Sequence, residues 1–131
     1  MKLGFIGTGI ISKAVILGIL KSKIKFSKIY ISKRNSEFFK TLRNINKKII
    51  ILEDNQKIVD LSSWVFLGIT PIVGKKIIKK LKFRKNHTIV SFISTIKMKE
   101  LKYYIKTKST IVRAIPLPPI SFKQGPVPIF P

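Results

Sequence analysis

The chain has 131 residues, and its 27 lysines and arginines against five acidic residues give a formal net charge of +22 at pH 7. The length suits one domain, and a hydrophobic content of 45% argues against disorder. The absence of cysteine excludes disulfides and thiolate metal sites, and the single His87 argues against a histidine metal site or a Ser-His-Asp triad. The five acidic residues are scattered singly and offer little material for paired-carboxylate catalysis. We predict that these acidic residues and His87 are exposed.

The first apolar stretch, LGFIGTGIISKAVILGIL at residues 3–20, has the length of a short membrane span or of a signal peptide core. Lys13 lies near its middle, where a charge is costly in a bilayer. A signal peptide carries its charge before the apolar core, whereas here a lysine cluster follows it, at Lys21, Lys23, Lys25 and Lys28. We therefore expect no membrane association and a cytoplasmic location. The glycines divide the stretch into a buried strand over Lys2–Ile6 and a helix over Ile10–Leu20.

The turn between this strand and helix is Gly7-Thr8-Gly9-Ile10-Ile11-Ser12. Gly7 permits a tight turn, Gly9 lets a pyrophosphate approach the backbone, and the helix N-terminus offers free N–H groups, with the small Ser12 at the third position of the fingerprint. The alternative is that the two glycines merely end a strand. An inward stripe is predicted for the helix at Ile11, Ala14, Val15, Gly18 and Ile19.

Strands and helices alternate along the rest of the chain. Further strands are predicted at Lys28–Ser32, Lys48–Leu52, Trp64–Ile69, Thr88–Ile93 and Thr110–Ile115, and further helices at Asn35–Asn46, Glu53–Asp60, Val73–Leu81 and Lys97–Ile105. This order predicts an α/β fold over residues 1–115, a Rossmann-type doubly wound, mainly parallel sheet with helices on both faces. Ligands of such sheets bind beyond the carboxyl ends of the strands.

The loop after the second strand indicates the type of cofactor. It reads Ser32-Lys33-Arg34-Asn35, where an NAD-preferring domain usually has an acidic residue. A hydroxyl and two cations suit a 2′-phosphate, so NADPH is expected, with NADH as second choice. The alternative is that Lys33 and Arg34 are ordinary surface cations.

The high positive charge raises the question of a nucleic acid partner. The lysines are spread over almost every predicted segment, and no stacking-aromatic motif, helix-turn-helix pair or zinc knuckle accompanies them. We expect no specific nucleic acid partner, although nonspecific polyanion binding at low salt follows from the charge.

Four segments, GFIGTG, ISKRN, VFLGITP and IVRAIPLPP, occur in the order seen in pyrroline-5-carboxylate reductases, so the chain resembles that family over nearly its whole length. The resemblance implies imine reduction by hydride transfer from NAD(P)H, the last step of proline biosynthesis. It also implies an N-terminal Rossmann domain and a C-terminal helical domain that dimerises and completes the pocket for a small cyclic imine.

The same resemblance assigns binding roles by position. It implies contacts to the pyrophosphate from Gly7, Thr8, Gly9, Ile10 and Ile11, to the 2′-phosphate from Ser32 and Arg34, to the adenosine from Asn55, and to the nicotinamide half from Ile69, Thr70, Pro71, Ser94, Thr95 and Pro116. Lys33 is added to the cofactor-binding residues because it belongs to the basic loop. No residue is predicted to act as a catalytic proton donor, and no metal site is predicted.

The sequence departs from the family in two respects. The family's M-P-N-T-P signature corresponds here to Ile115–Pro119, in which Leu117 and Pro118 replace the polar pair. The printed chain also stops at Pro131, so we expect residues 116–131 to be an extended proline-rich segment leading to a helical domain that this chain lacks. Dimerisation and turnover are then expected only with that domain. A noncatalytic or degenerate dinucleotide-binding module, and after it a basic polyanion-binding protein, are the alternatives.

Overall fold

A computed structural model describes residues 1–7, 9–33, 36–115 and 129–130. Within these residues the strands are β1 (Lys2–Ile6), β2 (Lys28–Ser32), β3 (Ile49–Leu52), β4 (Trp64–Leu67), β5 (Thr88–Ser91), β6 (Thr110–Ala114) and β7 (Ile129–Phe130). The helices of the same residues are α1 (Ile10–Lys21), α2 (Ser36–Ile45), α3 (Asn55–Leu61), α4 (Pro71–Lys80) and α5 (Met98–Ile105). Every predicted element within residues 1–115 is present.

The described strands form one sheet in the order β3-β2-β1-β4-β5-β6-β7. Strands β1 to β6 are all parallel, and the two-residue β7 pairs antiparallel with β6 through Ala114 and Ile129. The sheet order reverses between β1 and β4, which is the switch point of dinucleotide-binding folds. The prediction of a doubly wound, mainly parallel sheet is confirmed. Most of the predicted proline-rich segment, residues 116–128 and 131, lies outside the described residues.

The two faces of the sheet carry separate apolar clusters. Alternate strand residues point to opposite faces, so Phe5 and Phe66 stack with ring centroids 4.5 Å apart on the face covered by α1 and α2. Val65 and Leu67 lie in the other cluster, with buried residues of α3, α4 and α5. Helices therefore cover both faces of the sheet and leave the carboxyl ends of the strands uncovered.

The buried side of α1 differs from the predicted stripe. Ala14, Gly18 and Ile19 are buried as predicted, but Ile11 and Val15 are only half-buried. Ser12 and Ile16 are buried in addition. The prediction failed in part because α1 is apolar around most of its circumference, so periodicity alone does not fix which side faces the sheet.

Helix α4 begins two residues earlier than predicted. The predicted helix covers Val73–Leu81, whereas in the structure Thr70 is the N-cap of α4 and Pro71 is its first residue. Proline suits that position because its fixed φ matches the helix and its missing N–H would have no helical partner there.

His87 is not a surface residue, contrary to the prediction. The side chain is 1% exposed; its Nδ1 accepts a hydrogen bond from the Arg84 N–H at 2.8 Å, and its Nε2 lies 2.9 Å from the Val59 carbonyl and 3.1 Å from the Ser62 carbonyl. The ring thus joins the turn before β5 to the chain before β4. Burial, followed by the Arg84 charge, lowers the pKa of His87.

None of the helices in the described part of the chain combines the length and the apolar character needed to cross a bilayer.

Candidate dinucleotide-binding site

The turn after β1 requires glycine at its first position. Gly7 has a φ of +93°, and a Cβ atom there would lie 2.4 Å from the Gly68 carbonyl oxygen. Gly68 immediately follows β4, and its N–H donates to the Ile6 carbonyl at 2.8 Å. The glycine turn is therefore pressed against the end of the neighbouring strand, at the point where the sheet order reverses.

Gly9 has free space around its Cα atom, whereas Gly7 does not. It is exposed, and a Cβ placed on it would come no closer than 4.0 Å to an atom of the described residues, the Gly68 oxygen. Gly9 is the N-cap of α1, and the first helical hydrogen bond runs from the Lys13 N–H to the Gly9 carbonyl at 3.0 Å. A ligand can thus approach this backbone closely.

The beginning of α1 suits an anion. The N–H groups of its first turn lack partners within the helix, and the helix dipole adds partial positive charge. The first turn contains no acidic residue that would offset this charge. The predicted pyrophosphate residues Ile10 and Ile11 lie in this turn, Ile10 with 75% exposure and Ile11 half-buried, whereas Thr8 lies outside the described residues. Backbone N–H groups here can bind a diphosphate.

Ser12, at the third position of the fingerprint, packs against the sheet. It is 1% exposed, and a Cβ placed on Gly68 would lie 2.2 Å from its Oγ. A small residue at each of these two positions lets α1 approach the end of β4, as the third glycine of the fingerprint usually does.

A cleft of about 440 Å³ opens beside the glycine turn. It is lined by Ile6, Gly7, Ser32, Lys33, Glu53, Asn55, Ile69 and Ile77. Five of these residues, Gly7, Ser32, Lys33, Asn55 and Ile69, are among the predicted site residues, so the fold brings together positions spread over most of the domain.

Sequence reasoning missed the other three residues of the cleft. Glu53 is exposed, as predicted, but it also directly follows β3, and the rule that ligands meet the carboxyl ends of strands could have marked it as a cleft residue. Ile6 ends β1, and Ile77 reaches the cleft from α4. No local pattern marks Ile77, because its position depends on how α4 packs.

Ser32 connects the second strand to the glycine turn. Its Oγ accepts a hydrogen bond from the Gly7 N–H at 3.2 Å, and the residue is 8% exposed. A hydroxyl that accepts one hydrogen bond still has a proton to donate to a ligand.

Lys33 and Glu53 form an ion pair at the mouth of the cleft. The Lys33 Nζ lies 2.5 Å from the Glu53 Oε1, and both side chains are mostly exposed. The hydrogen bond from Lys33, and then its charge, lower the pKa of Glu53. The predicted basic loop therefore faces a carboxylate, while Arg34 lies outside the described residues.

The predicted nicotinamide residues are less tightly grouped. Thr70 and Pro71 are exposed at the start of α4, and Ser94 and Thr95 are exposed after β5. None of these four lines the cleft. Ser94 and Thr95 follow β5, one strand further from β1, whereas Thr70 and Pro71 follow β4 but come after Ile69, where α4 begins. The Ser94 carbonyl accepts a hydrogen bond from Arg113 Nη2 at 2.7 Å. Pro116 lies outside the described residues.

These residues fit a dinucleotide at its adenosine and diphosphate end. Gly9 leaves the backbone accessible, α1 presents its positive end, and Ser32, Lys33 and Asn55 supply polar groups in one cleft. Ile6 and Ile69 supply apolar walls.

Comparison with known proteins agrees with the described fold. The profile of the family described as NADP oxidoreductase, coenzyme F420-dependent, matches residues 2–95. Among curated proteins, the chain is 25% identical over 121 residues to pyrroline-5-carboxylate reductase of Staphylococcus haemolyticus, covering 88% of this chain and 44% of that protein. It is 28% identical over 119 residues to ComE operon protein 4 of Bacillus subtilis, covering 88% and 43%.

A solved structure of Plasmodium falciparum pyrroline carboxylate reductase with NADP bound superposes with a TM-score of 0.84 at 17% identity, over 99% of this chain and 47% of that one. The chain thus spans less than half the length of the relatives it matches. The profile match covers most of the chain, and the similar proteins agree in fold with the described sheet. The chain belongs to the NADP oxidoreductase, coenzyme F420-dependent, family, as a pyridine-nucleotide-binding Rossmann domain similar to that of pyrroline-5-carboxylate reductases.

Proposed function

We propose that this chain is the NADPH-binding domain of a reductase that transfers hydride to the C=N bond of a small cyclic imine, as in pyrroline-5-carboxylate reductases. The observation that carries the proposal is the glycine turn. Gly7 packs against Gly68 and lines the cleft, whereas Gly9 is unobstructed and is the N-cap of α1. The relatives named pyrroline-5-carboxylate reductase support the reaction type.

In this proposal the diphosphate binds the backbone from Gly7 to Ile11, through the N–H groups at the start of α1. The adenosine lies in the cleft near Asn55, and its 2′-phosphate lies near Ser32 and the cations that follow. Arginine can hold such a phosphate through two parallel hydrogen bonds, whereas Lys33 contributes a point charge.

The nicotinamide end is proposed to lie along the segments after β4 and β5. Ile69 offers an apolar wall, and the exposed residues Thr70, Pro71, Ser94 and Thr95 offer a small, uncharged surface against which a flat ring can be oriented. When bound, the cofactor supplies the hydride, and the residues of this chain bind it, orient it and exclude water from one side.

Protonation of the imine nitrogen needs a donor from elsewhere. Among the described residues that line the cleft, the titratable side chains are Lys33 and Glu53, which lie at the adenosine end. We therefore propose that a further helical domain completes the substrate pocket and the dimer, and that this chain by itself binds cofactor without turnover.

A noncatalytic dinucleotide-binding module is the alternative. It is favoured by Leu117 and Pro118, which stand where the reductases have a polar pair. In the two cases cofactor binding is the same and imine-dependent oxidation of NADPH differs. A longer form of the protein that carries a helical domain and oxidises NADPH only when a cyclic imine is present would support the reductase. An intact longer form that binds NADPH without such turnover would support the module.

The binding half of the proposal is tested by titrating the chain with NADPH, NADH and duplex DNA at about 0.15 M salt, where exposed charges are strongly screened. We expect NADPH to bind most tightly. Retention of DNA binding without affinity for either dinucleotide would contradict the proposal and favour a polyanion-binding protein.

The 2′-phosphate assignment has its own test in the Arg34→Asp variant. We expect NADPH affinity to fall by about tenfold or more, because a cation near the phosphate is replaced by an anion, while NADH affinity changes little. Equal losses for the two dinucleotides would remove the phosphate from this position.

A further inference from the structure

The cleft contains one acidic side chain among its lining residues, and it is already paired with the lysine predicted to attract a phosphate. Ser32 and Leu52 are register partners on the neighbouring parallel strands β2 and β3, so Lys33 and Glu53 are the first residues after both strands. Neighbouring strands are about 4.8 Å apart. The register of β2 and β3 therefore places Lys33 and Glu53 side by side, where their side chains can form the ion pair.

We infer that Glu53 is a coenzyme-specificity residue that opposes NADPH. Its carboxylate occupies Lys33 and repels a 2′-phosphate, so the chain discriminates between NADPH and NADH less than its basic loop alone would predict. This inference rests on the proposed binding of a dinucleotide in the cleft.

Charge counting supports an unequal effect on the two coenzymes. A phosphate monoester carries about −1.5 to −2 charges at neutral pH. To reach Lys33 it must displace the carboxylate at 2.5 Å or share one ammonium group with it. The Glu53 carboxyl is ionised at neutral pH, because its ordinary pKa of 4.5 lies well below 7 and Lys33 lowers that pKa further. The phosphate of NADPH therefore meets a competing anion at the site that should bind it.

NADH meets the same carboxylate differently. Its adenosine ribose carries free hydroxyl groups, which can donate hydrogen bonds to a carboxylate, and this is the role of the acidic residue that usually follows β2 in NAD-preferring domains. Here the residue after β2 is basic, and the acid follows β3 instead. Glu53 can thus favour NADH from the neighbouring strand while it penalises NADPH.

The Glu53→Gln variant tests the inference through the ratio of the two affinities. Both dinucleotides are titrated into the full wild-type chain and the variant at low and at about 0.5 M salt. We expect the NADPH preference to rise about three- to fivefold at low salt and the rise to shrink at high salt, because the pair is exposed. An unchanged ratio in Glu53→Gln at low salt would overturn the inference.

Glu100→Gln is the matched control. Glu100 also forms an ion pair, with Lys75 at 3.2 Å, and it is on α5, which packs near the opposite end of the sheet. The variant removes the same charge, so a purely global effect of net charge would change its ratio equally, which would count against Glu53. We expect the Glu100→Gln ratio to match wild type.

Titration with adenosine 2′,5′-bisphosphate and adenosine 5′-monophosphate restricts the measurement to the adenosine end. The bisphosphate should gain affinity in Glu53→Gln and the monophosphate should not. If neither dinucleotide binds wild type, the proposed function fails. If both bind wild type and the ratio ignores Glu53, only the present inference fails.

Discussion

The two ends of the parallel strands differ in how their polar groups are used. We call the end where the strands begin the amino edge and the end where they finish the carboxyl edge. At the amino edge, the turn before β5 is closed by hydrogen bonds between residues far apart in sequence. The His87 ring contacts two carbonyls, those of Val59 and Ser62, and the Arg84 guanidinium donates to the Asp60 carbonyl at 2.9 Å and the Ser62 carbonyl at 3.1 Å. The polar groups of these two side chains are thus used within the protein.

The carboxyl edge leaves its polar groups available. Gly9 is exposed, the first-turn N–H groups of α1 have no partners within the helix, and the Thr70 side chain does not cap α4. The contacts that do form across the cleft, such as those of Ser32 and Lys33, lie beside this open backbone. We therefore expect stability and binding to be separable in this fold: changes at the amino edge should affect the free energy of unfolding, and changes at the carboxyl edge should affect ligand affinity.

Gly7→Ala should have the largest effect, because Gly7 contributes both to the stability of the fold and to ligand binding. Alanine there would need a positive φ and would place its Cβ 2.4 Å from the Gly68 oxygen. We expect a loss of about 2–4 kcal/mol in the free energy of unfolding, together with a loss of dinucleotide affinity of at least about tenfold. Urea unfolding and NADPH titration measure the two losses.

Gly9→Ala is the control for this change. Its Cβ has no close neighbour among the described residues, so the stability cost should stay below about 1 kcal/mol, the difference between glycine and alanine at an N-cap. The added methyl group lies where a diphosphate would approach, and NADPH affinity should fall. Wild-type affinity in both variants would contradict the placement of the diphosphate at this turn.

The amino edge should show a pH dependence of stability just below pH 6.5, above the range in which the carboxylates titrate. Burial, and then the Arg84 charge, hold the pKa of His87 below its ordinary value of 6.5, although the Val59 and Ser62 carbonyls and Asp60 partly oppose the shift. Between the lowered pKa and 6.5, the unfolded chain binds more protons than the native state. The free energy of unfolding should therefore fall as pH decreases from about 6.5, before the carboxylates titrate.

His87→Gln separates this effect from general acid destabilisation. The variant loses some of the ring's hydrogen bonds and packing, so its stability at pH 7.5 should be lower by about 1–3 kcal/mol, with NADPH affinity unchanged. Its free energy of unfolding should also stay constant between pH 7 and pH 5.5, when it is measured in the same way as that of the wild type. A wild-type profile as flat as that of the variant would show that His87 does not carry the pH dependence.

The sheet could be predicted from sequence because its strands are short continuous apolar runs separated by polar or glycine-containing turns. Lys2–Ile6 and Lys28–Ser32 match the structure at both ends, since a charged residue or glycine bounds each run. The end of β4 was placed two residues too late, at Ile69 instead of Leu67, because Ile69 continues the apolar run after Gly68 although it no longer belongs to the strand.

The residues of the cleft could be predicted where a local motif follows a strand, by the rule that ligands bind beyond the carboxyl ends of parallel strands. They could not be predicted where segments distant in sequence meet. The glycine turn and the residues after β2 follow from that rule, and Gly7, Ser32 and Lys33 do line one cleft. The burial of His87 depends on carbonyls about 25 residues earlier in the chain, which no local pattern reveals. The pairing of Glu53 depends on the register of two strands, which the sequence does not state.

The smallest predicted effect concerns Ser12, whose buried Oγ has no hydrogen-bond partner among the described residues. Ser12→Ala removes this unsatisfied group and keeps the Cβ that packs toward Gly68, so we expect a gain of about 0.5–1 kcal/mol in unfolding free energy and unchanged NADPH affinity. Ser62→Ala is the matched control, since Ser62 is equally buried but its Oγ donates to the Ile58 carbonyl at 2.6 Å. That variant should lose about 1 kcal/mol. Equal losses in the two variants would mean that the Ser12 hydroxyl stabilises the fold as the Ser62 hydroxyl does, and that the third position of the fingerprint needs more than a small side chain.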